Sequence, residues 1–193
     1  MIKLWKSQRA LQNVEESMLD NLKYQIKNHL IVIIGERFRY IGRAGNLVWL
    51  GFGKDTAFKN YKGENEKRAQ YSLHIQCPLR IIHNKIKQIG SGDIYEPCST
   101  MKYVENFDWD IQGANLFDEK ARIIAKELLL NEVTVTDIKC SETGDVRIYL
   151  SNGYIVEMFT NTSGAVEEWR FFETGSDKEH FVVTGDGINN DEI

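Results

Sequence analysis

Apolar residues recur at three- and four-residue steps from Leu11 through Val14, Met18 and Leu22 to Ile26, while Glu15, Glu16, Asp20 and Lys23 fall on the opposite side. That period describes one helical stripe, and Ser7 supplies a capping oxygen, so a helix is expected from about Ser7 to Lys27. The period then changes. Leu30-Ile31-Val32-Ile33-Ile34 is a mostly β-branched run that predicts a strand, with Gly35 allowing a bend or bulge after it. Arg37-Phe38-Arg39-Tyr40-Ile41 alternates charge with bulk, as a half-exposed strand does. Gly45-Asn46 turns the chain into a strand over Leu47 to Phe52. Tyr71 to Ile82 reads as one strand with Tyr71, Leu73, Ile75, Cys77 and Leu79 on one face and Ser72, His74, Gln76 and Arg80 on the other. Pro78 restricts it to an edge, an end or a bulge. Lys85 to Ile89 is a further short strand.

The pattern resumes after a turn-rich stretch, Gly90 to Pro97, and a segment around Trp109 that marks a boundary between lobes. Asn115 stands three residues before Asp118, a capping arrangement that predicts a helix through Ala121, Ile124, Ala125 and Leu128 to about Asn131. Strands follow from Val133, and Asn152-Gly153 is a strong hairpin signal between Val146–Leu150 and Tyr154–Phe159. The acidic, small residues from Gly185 on predict a frayed tail. Strands that come in hairpins, rather than alternating singly with helices, imply an α+β fold with mainly antiparallel sheets. The expected organisation is an N-terminal helix (1–29), a first β-rich lobe (30–112), a helix with a second β-rich lobe (113–185) and a flexible tail (186–193).

The two β segments share a pattern. Residues 43–82 and 142–172 each contain a Gly-Asn or Gly-Asp turn, an apolar strand, a second glycine turn and a later apolar-Arg-apolar-apolar strand. A duplication and two ordinary antiparallel segments both fit this. Duplication predicts that the two segments share one strand order. Arg80 and Arg170 then occupy matching places. Each can present a guanidinium fork to a partner's carboxylate or a phosphate, or pair with a neighbouring glutamate across the sheet; the second reading is favoured.

Composition narrows the function classes. The chain of 193 residues is long enough for one large domain or two small lobes, with 42% hydrophobic and 11% aromatic residues. A net charge of −4 supplies no global basic field, so nucleic acid is not an expected partner. Three irregularly spaced cysteines, Cys77, Cys98 and Cys140, read as reduced thiols. The N-terminal residues show no secretory signal, and the run at Ile31–Ile34 is too short to span a bilayer, so a soluble cytoplasmic protein is expected.

Chemistry-bearing motifs are few. His74 and Cys77 point to opposite faces of a regular strand, and with His83 they make a poor metal set, so no metal or cofactor is expected. Cys98, after Pro97, is the most accessible cysteine candidate. Asp108-Trp109-Asp110 could hold a cation, but so short a pattern is common by chance. Gly90-Ser91-Gly92-Asp93 lacks the lysine of a phosphate loop, and no serine elbow or dinucleotide fingerprint is present. Trp49, Trp109 and Trp169 read as core. Residues 54–69 are the longest loop candidate, polar and charged, with Phe58 and Tyr61 among lysines and glutamates. Aromatic and charged residues mixed on a loop suit a protein interface.

Gly45 to Gly53, Leu73 to Ile81, Gly90 to Pro97, Asn115 to Glu119 and Glu168 to Phe172 together resemble a family of small uncharacterised proteins typical of Gram-positive bacteria, similar to those encoded near polymorphic toxins. The resemblance runs from about Leu30 to Phe172. It implies an immunity role, neutralising a toxin by binding it, and carries over no catalytic residue. The resulting expectation is a non-enzymatic protein-binding module that contacts its partner through Phe58, Tyr61, Arg80, Asp93, Glu96 and Arg170. Two alternatives stand beside it. One is a small-molecule binder or hydrolytic enzyme with a carboxylate-lined cleft around Asp93, Glu96 and Asp108. The other is a structural subunit assembling through a sheet edge.

Overall fold

A computed structural model describes residues 21–59 and 62–189. Among these the fold is α+β, with two antiparallel sheets and two helices. The first sheet has strand order β1-β2-β3-β9-β10-β11. Its members are β1 (Phe38–Ala44), β2 (Leu47–Lys59), β3 (Asn65–Ile75), β9 (Glu167–Glu173), β10 (Phe181–Thr184) and β11 (Gly187–Asn189). The second has order β5-β4-β8-β7-β6, from β4 (Leu79–His83), β5 (Ile86–Gly90), β6 (Val135–Cys140), β7 (Val146–Leu150) and β8 (Tyr154–Met158). Helices α1 (Leu22–Leu30) and α2 (Leu116–Leu130) complete the described residues.

The order of elements is the same in both halves. A helix precedes a three-strand meander, and the strands that follow are delivered to the other sheet. The first half contributes α1, the meander β1-β2-β3, then β4-β5 to the sheet of β6-β8. The second contributes α2, the meander β6-β7-β8, then β9-β10-β11 to the sheet of β1-β3. Each helix also packs across, α2 on β1 and α1 on β6. At the centre an antiparallel bridge pairs Arg37 with Thr134, just ahead of β1 and β6. It is flanked by Phe38 N–H donating to the Val133 carbonyl (2.8 Å) and Val135 N–H to that of Glu36 (3.0 Å). One hydrophobic core takes side chains from both sheets and both helices, with Trp169, Phe38, Phe52 and Phe117 its largest fully buried members.

Several expectations are met by local chemistry. Asn115 caps α2, its side chain accepting from Asp118 N–H at 2.8 Å, and the helix ends at Asn131. The turn at Asn152-Gly153 joins β7 to β8, and Tyr71, Leu73, Ile75, Cys77 and Leu79 do face the core.

Others are corrected. The part of the first helix within the described residues begins at Leu22, where Asn21 caps it by accepting from Tyr24 N–H, and it runs past Lys27 to Leu30; Ser7 to Met18 lie outside the described residues. Leu30-Ile34 is no strand. Ile31–Ile33 is a 3-10 turn that buries Leu30 and Ile33 and leaves Ile31, Val32 and Ile34 exposed, because a continuous apolar run carries no period to choose a conformation. Most of the described residues within 54–69 are strand, not loop. β2 takes up their first part to Lys59 and β3 their last part from Asn65, with Thr56 opposite Arg68 and Phe58 opposite Glu66. This hairpin outruns the core, so its faces meet water and no apolar alternation marks it. The strand expected over Tyr71–Ile82 breaks at Gln76-Pro78, where the chain leaves the first sheet for the second. The described part of the tail, through Asn189, contains β11, which pairs with β10. Trp169 is core as expected, but Trp49 is only half-buried and Trp109 is exposed. Cys98 is buried rather than accessible, its sulfur 3.2 Å from the Thr100 hydroxyl.

The two crossings between sheets are tied together by Glu168. Its carbonyl accepts from Gln76 and Cys77 N–H, while its buried carboxylate accepts from Asn161 N–H (3.0 Å), Thr162 N–H (2.6 Å) and the Thr162 hydroxyl (2.7 Å).

Candidate functional site

The six-stranded sheet turns one face to the core and the other outward. On β2, Val48, Leu50 and Phe52 point inward, so Trp49 and Gly51 point out. The two glycines of the outer face are there for aromatic cover. A Cβ on Gly42 would lie 2.3 Å from the Trp49 indole nitrogen, and one on Gly51 would lie 2.4 Å from the Tyr40 ring. Each ring therefore lies flat on bare backbone, held by the strand beneath it.

From Trp49 an aromatic row crosses the sheet. The His74 ring is 6.2 Å from that of Trp49, Phe172 meets His74 edge-on at 4.9 Å, and His180 stacks on Phe172 at 4.1 Å. Arg170 stands opposite His74 in the register, donates to Glu167 Oε1 at 2.7 Å and pairs with its second oxygen. Arg68 lies over the Phe58 ring at 4.7 Å, further along the hairpin. A concavity of about 440 Å³ opens among Tyr40, Leu47, Trp49, Arg68, Ser72 and His74.

Both histidines are held neutral. Burial pushes the His74 imidazolium down to about 4, with Arg170 and then His180 adding repulsion. Burial also lowers His180, again helped by Arg170, whose Nη1 lies 3.5 Å from His180 Nδ1. With Arg170 neutralised by Glu167, the centre of the face is aromatic, hydrogen-bonding and close to uncharged at pH 7. The His74 shift has a thermodynamic consequence. The unfolded chain takes up a proton near 6.5 and the folded chain not until about 4, so stability falls as pH falls through that window and levels below it. Because His74 is partly solvated, the loss is on the order of 1–2 kcal/mol rather than the full linkage value. Urea melts at pH 7.5 and pH 4.5 are expected to show a smaller difference in His74→Gln than in wild type; equal differences would remove His74 from this account.

The six residues expected to bind a partner do not converge. Arg170 sits at the centre of the aromatic face and Phe58 at its hairpin end, whereas Tyr61 lies outside the described residues. Arg80 is on the outer face of the other sheet, bound to Glu157. Asp93 accepts from Lys120 Nζ (2.9 Å) and Gly90 N–H (3.2 Å) in the 3-10 turn Ser91–Tyr95, and Glu96 is exposed just beyond it. Asp108 is exposed and caps Asp110 N–H at 3.0 Å. Among the described residues, no three His, Cys, Asp or Glu side chains are placed to hold a metal ion. Burial, with Glu168 adding, pushes the Cys77 thiol up to about 12, and burial pushes Cys140 up to about 11, so neither is a thiolate at neutral pH. No helix among the described residues is long and apolar enough to cross a membrane.

Sequence reasoning missed Tyr40, Trp49, Phe172 and His180 as surface groups. The signal for Trp49 was in the alternation Val48-Trp49-Leu50-Gly51-Phe52, which sends it to the face opposite three core residues. Compared with family models, with curated proteins and with solved structures, the chain matches none of them.

Proposed function

We propose that this chain is a protein-binding module whose contact surface is the outer face of the six-stranded sheet, and that its partner is a bacterial toxin, as the sequence resemblance implies. The observation that carries the binding reading is the row Trp49–His74–Phe172–His180 beside a concavity on a regular sheet. Rigid aromatic side chains with an arginine at the centre and a polar rim are the composition of interface hot spots. The glycines beneath Trp49 and Tyr40 fix the rings before a partner arrives, which lowers the ordering cost of association. The same order of elements in the two halves supports reading them as copies of one ancestral unit, with Arg80 and Arg170 at corresponding positions.

The test is to express the proteins encoded by the genes on either side, identify any that bind in a pull-down, and titrate the purified partner. Trp49→Ala and Phe172→Ala are each expected to weaken binding tenfold to a hundredfold, about 1.4–2.7 kcal/mol. Ile86→Ala, on the far edge of the other sheet, is expected to leave affinity unchanged. Thermal melts accompany each variant. Unchanged affinity in both folded aromatic variants would move the interface elsewhere, and no binding by wild type would remove the toxin.

A further inference from the structure

The five-stranded sheet carries a different chemistry on its outer face. Across β4, β8, β7 and β6 the register places Arg80 opposite Glu157, Glu157 opposite Arg147, and Arg147 opposite Lys139. One row perpendicular to the strands thus holds three cations and one carboxylate, a local charge of +2 in a chain of net −4. Glu157 is buried, 5% exposed, and is fully engaged by pairing with Arg80 Nε and, at 2.5 Å, with Arg147 Nη2. The two arginines are each nearly half exposed, and one carboxylate cannot use all their donors. On its other side Arg80 stands opposite Gly90, and its guanidinium lies over the Phe159 ring at 4.8 Å.

The Arg147–Lys139 pair is the telling feature. Like charges directly opposite on neighbouring strands destabilise a sheet. Lys139 has no carboxylate partner among the described residues; its ammonium sits 5.1 Å from the Tyr149 ring centre. Next to the pair is a concavity of about 250 Å³ lined by Lys139, Ser141, Asp145, Arg147, Glu157 and Phe159. Asp145 turns its carboxylate to Thr160, accepting from the N–H at 3.0 Å.

We propose that Arg147 and Lys139, which both line this concavity, form an oxyanion site that takes a phosphate group, free or as a small-molecule monoester, with Arg80 holding Glu157 from the far side. Glu157 is its positioning residue, aligning two guanidinium forks without neutralising the row. A guanidinium offers paired donors that match a phosphate edge, and an ammonium adds a compact charge beside it. The site is independent of the aromatic face, since the two lie on different sheets.

The experiment is NMR titration of the whole chain, following arginine Nε–H and backbone signals, with inorganic phosphate, O-phosphoserine and sodium chloride at matched ionic strength. Saturable shifts of Arg147 and its strand neighbours with phosphate, absent with chloride, are expected. Tighter binding of O-phosphoserine than of phosphate identifies a monoester; equal binding identifies the free anion. Lys139→Gln is expected to weaken binding at least tenfold. Arg147→Lys keeps the charge beside Glu157, and so the fold, but loses the fork, and is expected to weaken it at least as much. Non-saturating shifts, the same shifts with chloride, or undiminished binding in both variants would overturn the site.

Discussion

Replacing Arg43 by alanine is expected to cost about 3–5 kcal/mol of folding stability, a large part of what a domain has. Its side chain is 0% exposed. Nε and Nη2 donate to the two oxygens of Asp118 at 2.8 Å each, Nη1 donates to the Gly45 carbonyl at 3.1 Å, and Nη2 also reaches the carbonyls of Trp109 and Ile111, both at 3.1 Å. One guanidinium therefore fixes the start of α2, the β1–β2 turn and the segment before the helix. Loss of it strands a carboxylate that is 13% exposed and several carbonyls together. Asp118 keeps the Gly113 N–H (2.7 Å) and the positive end of α2, which softens the cost without removing it. The double variant Arg43→Met/Asp118→Leu separates the two losses. An isolated ion pair replaced by apolar groups is often neutral, but here the loop carbonyls remain without a donor, so less than half of the stability is expected to return. Urea denaturation of wild type, Arg43→Ala, Arg43→Met, Asp118→Leu and the double variant measures this. A loss under about 1 kcal/mol in Arg43→Ala, or full recovery in the double variant, would refute the clamp.

The ease with which different parts were read follows from where their information lies. The cap at Asn115, the Asn152-Gly153 turn and the alternation from Tyr71 to Leu79 are local, since each is decided by residues within a few positions, and the structure keeps all three. The hairpin over 54–69 is held by cross-strand backbone pairing beyond the core, so no apolar period announced it. The break at Gln76-Pro78 depends on pairing of Leu73 with Phe171 and of Arg80 with Glu157, partners far off in the chain. Nothing near Pro78 states which sheet the next strand joins. The same holds for the aromatic row. Trp49, His74 and Phe172 come from three strands, and only the register brings them together. Arg80 and Arg170 were legible as a matched pair, yet their surroundings were not. The residue opposite one is Glu157 and opposite the other is His74, which makes one face cationic and the other aromatic.

Cutting the chain in the exposed segment at Tyr103, which is 91% exposed, is expected to leave the protein folded, whereas neither half is expected to fold alone. Each sheet is completed by strands from the other half. Residues 1–103 by themselves would lack β9-β10-β11, leaving the β3 edge unpaired and losing Trp169, Phe171, Phe181 and Val183 from the core. At about 2 kcal/mol per buried apolar side chain, those four contribute roughly 8 kcal/mol, comparable with the whole stability of a domain. Residues 104–193 would likewise lack β4-β5 and leave the β8 edge bare. Exposed edges of this kind also invite aggregation. Limited proteolysis followed by gel filtration is expected to give one species containing both fragments. Separately produced halves are expected to show no cooperative melt by circular dichroism, and to regain one when refolded together. The result depends on interleaving alone, so it discriminates sharply: two lobes joined end to end would each melt cooperatively on their own, and cooperative unfolding of either isolated half would refute the shared core.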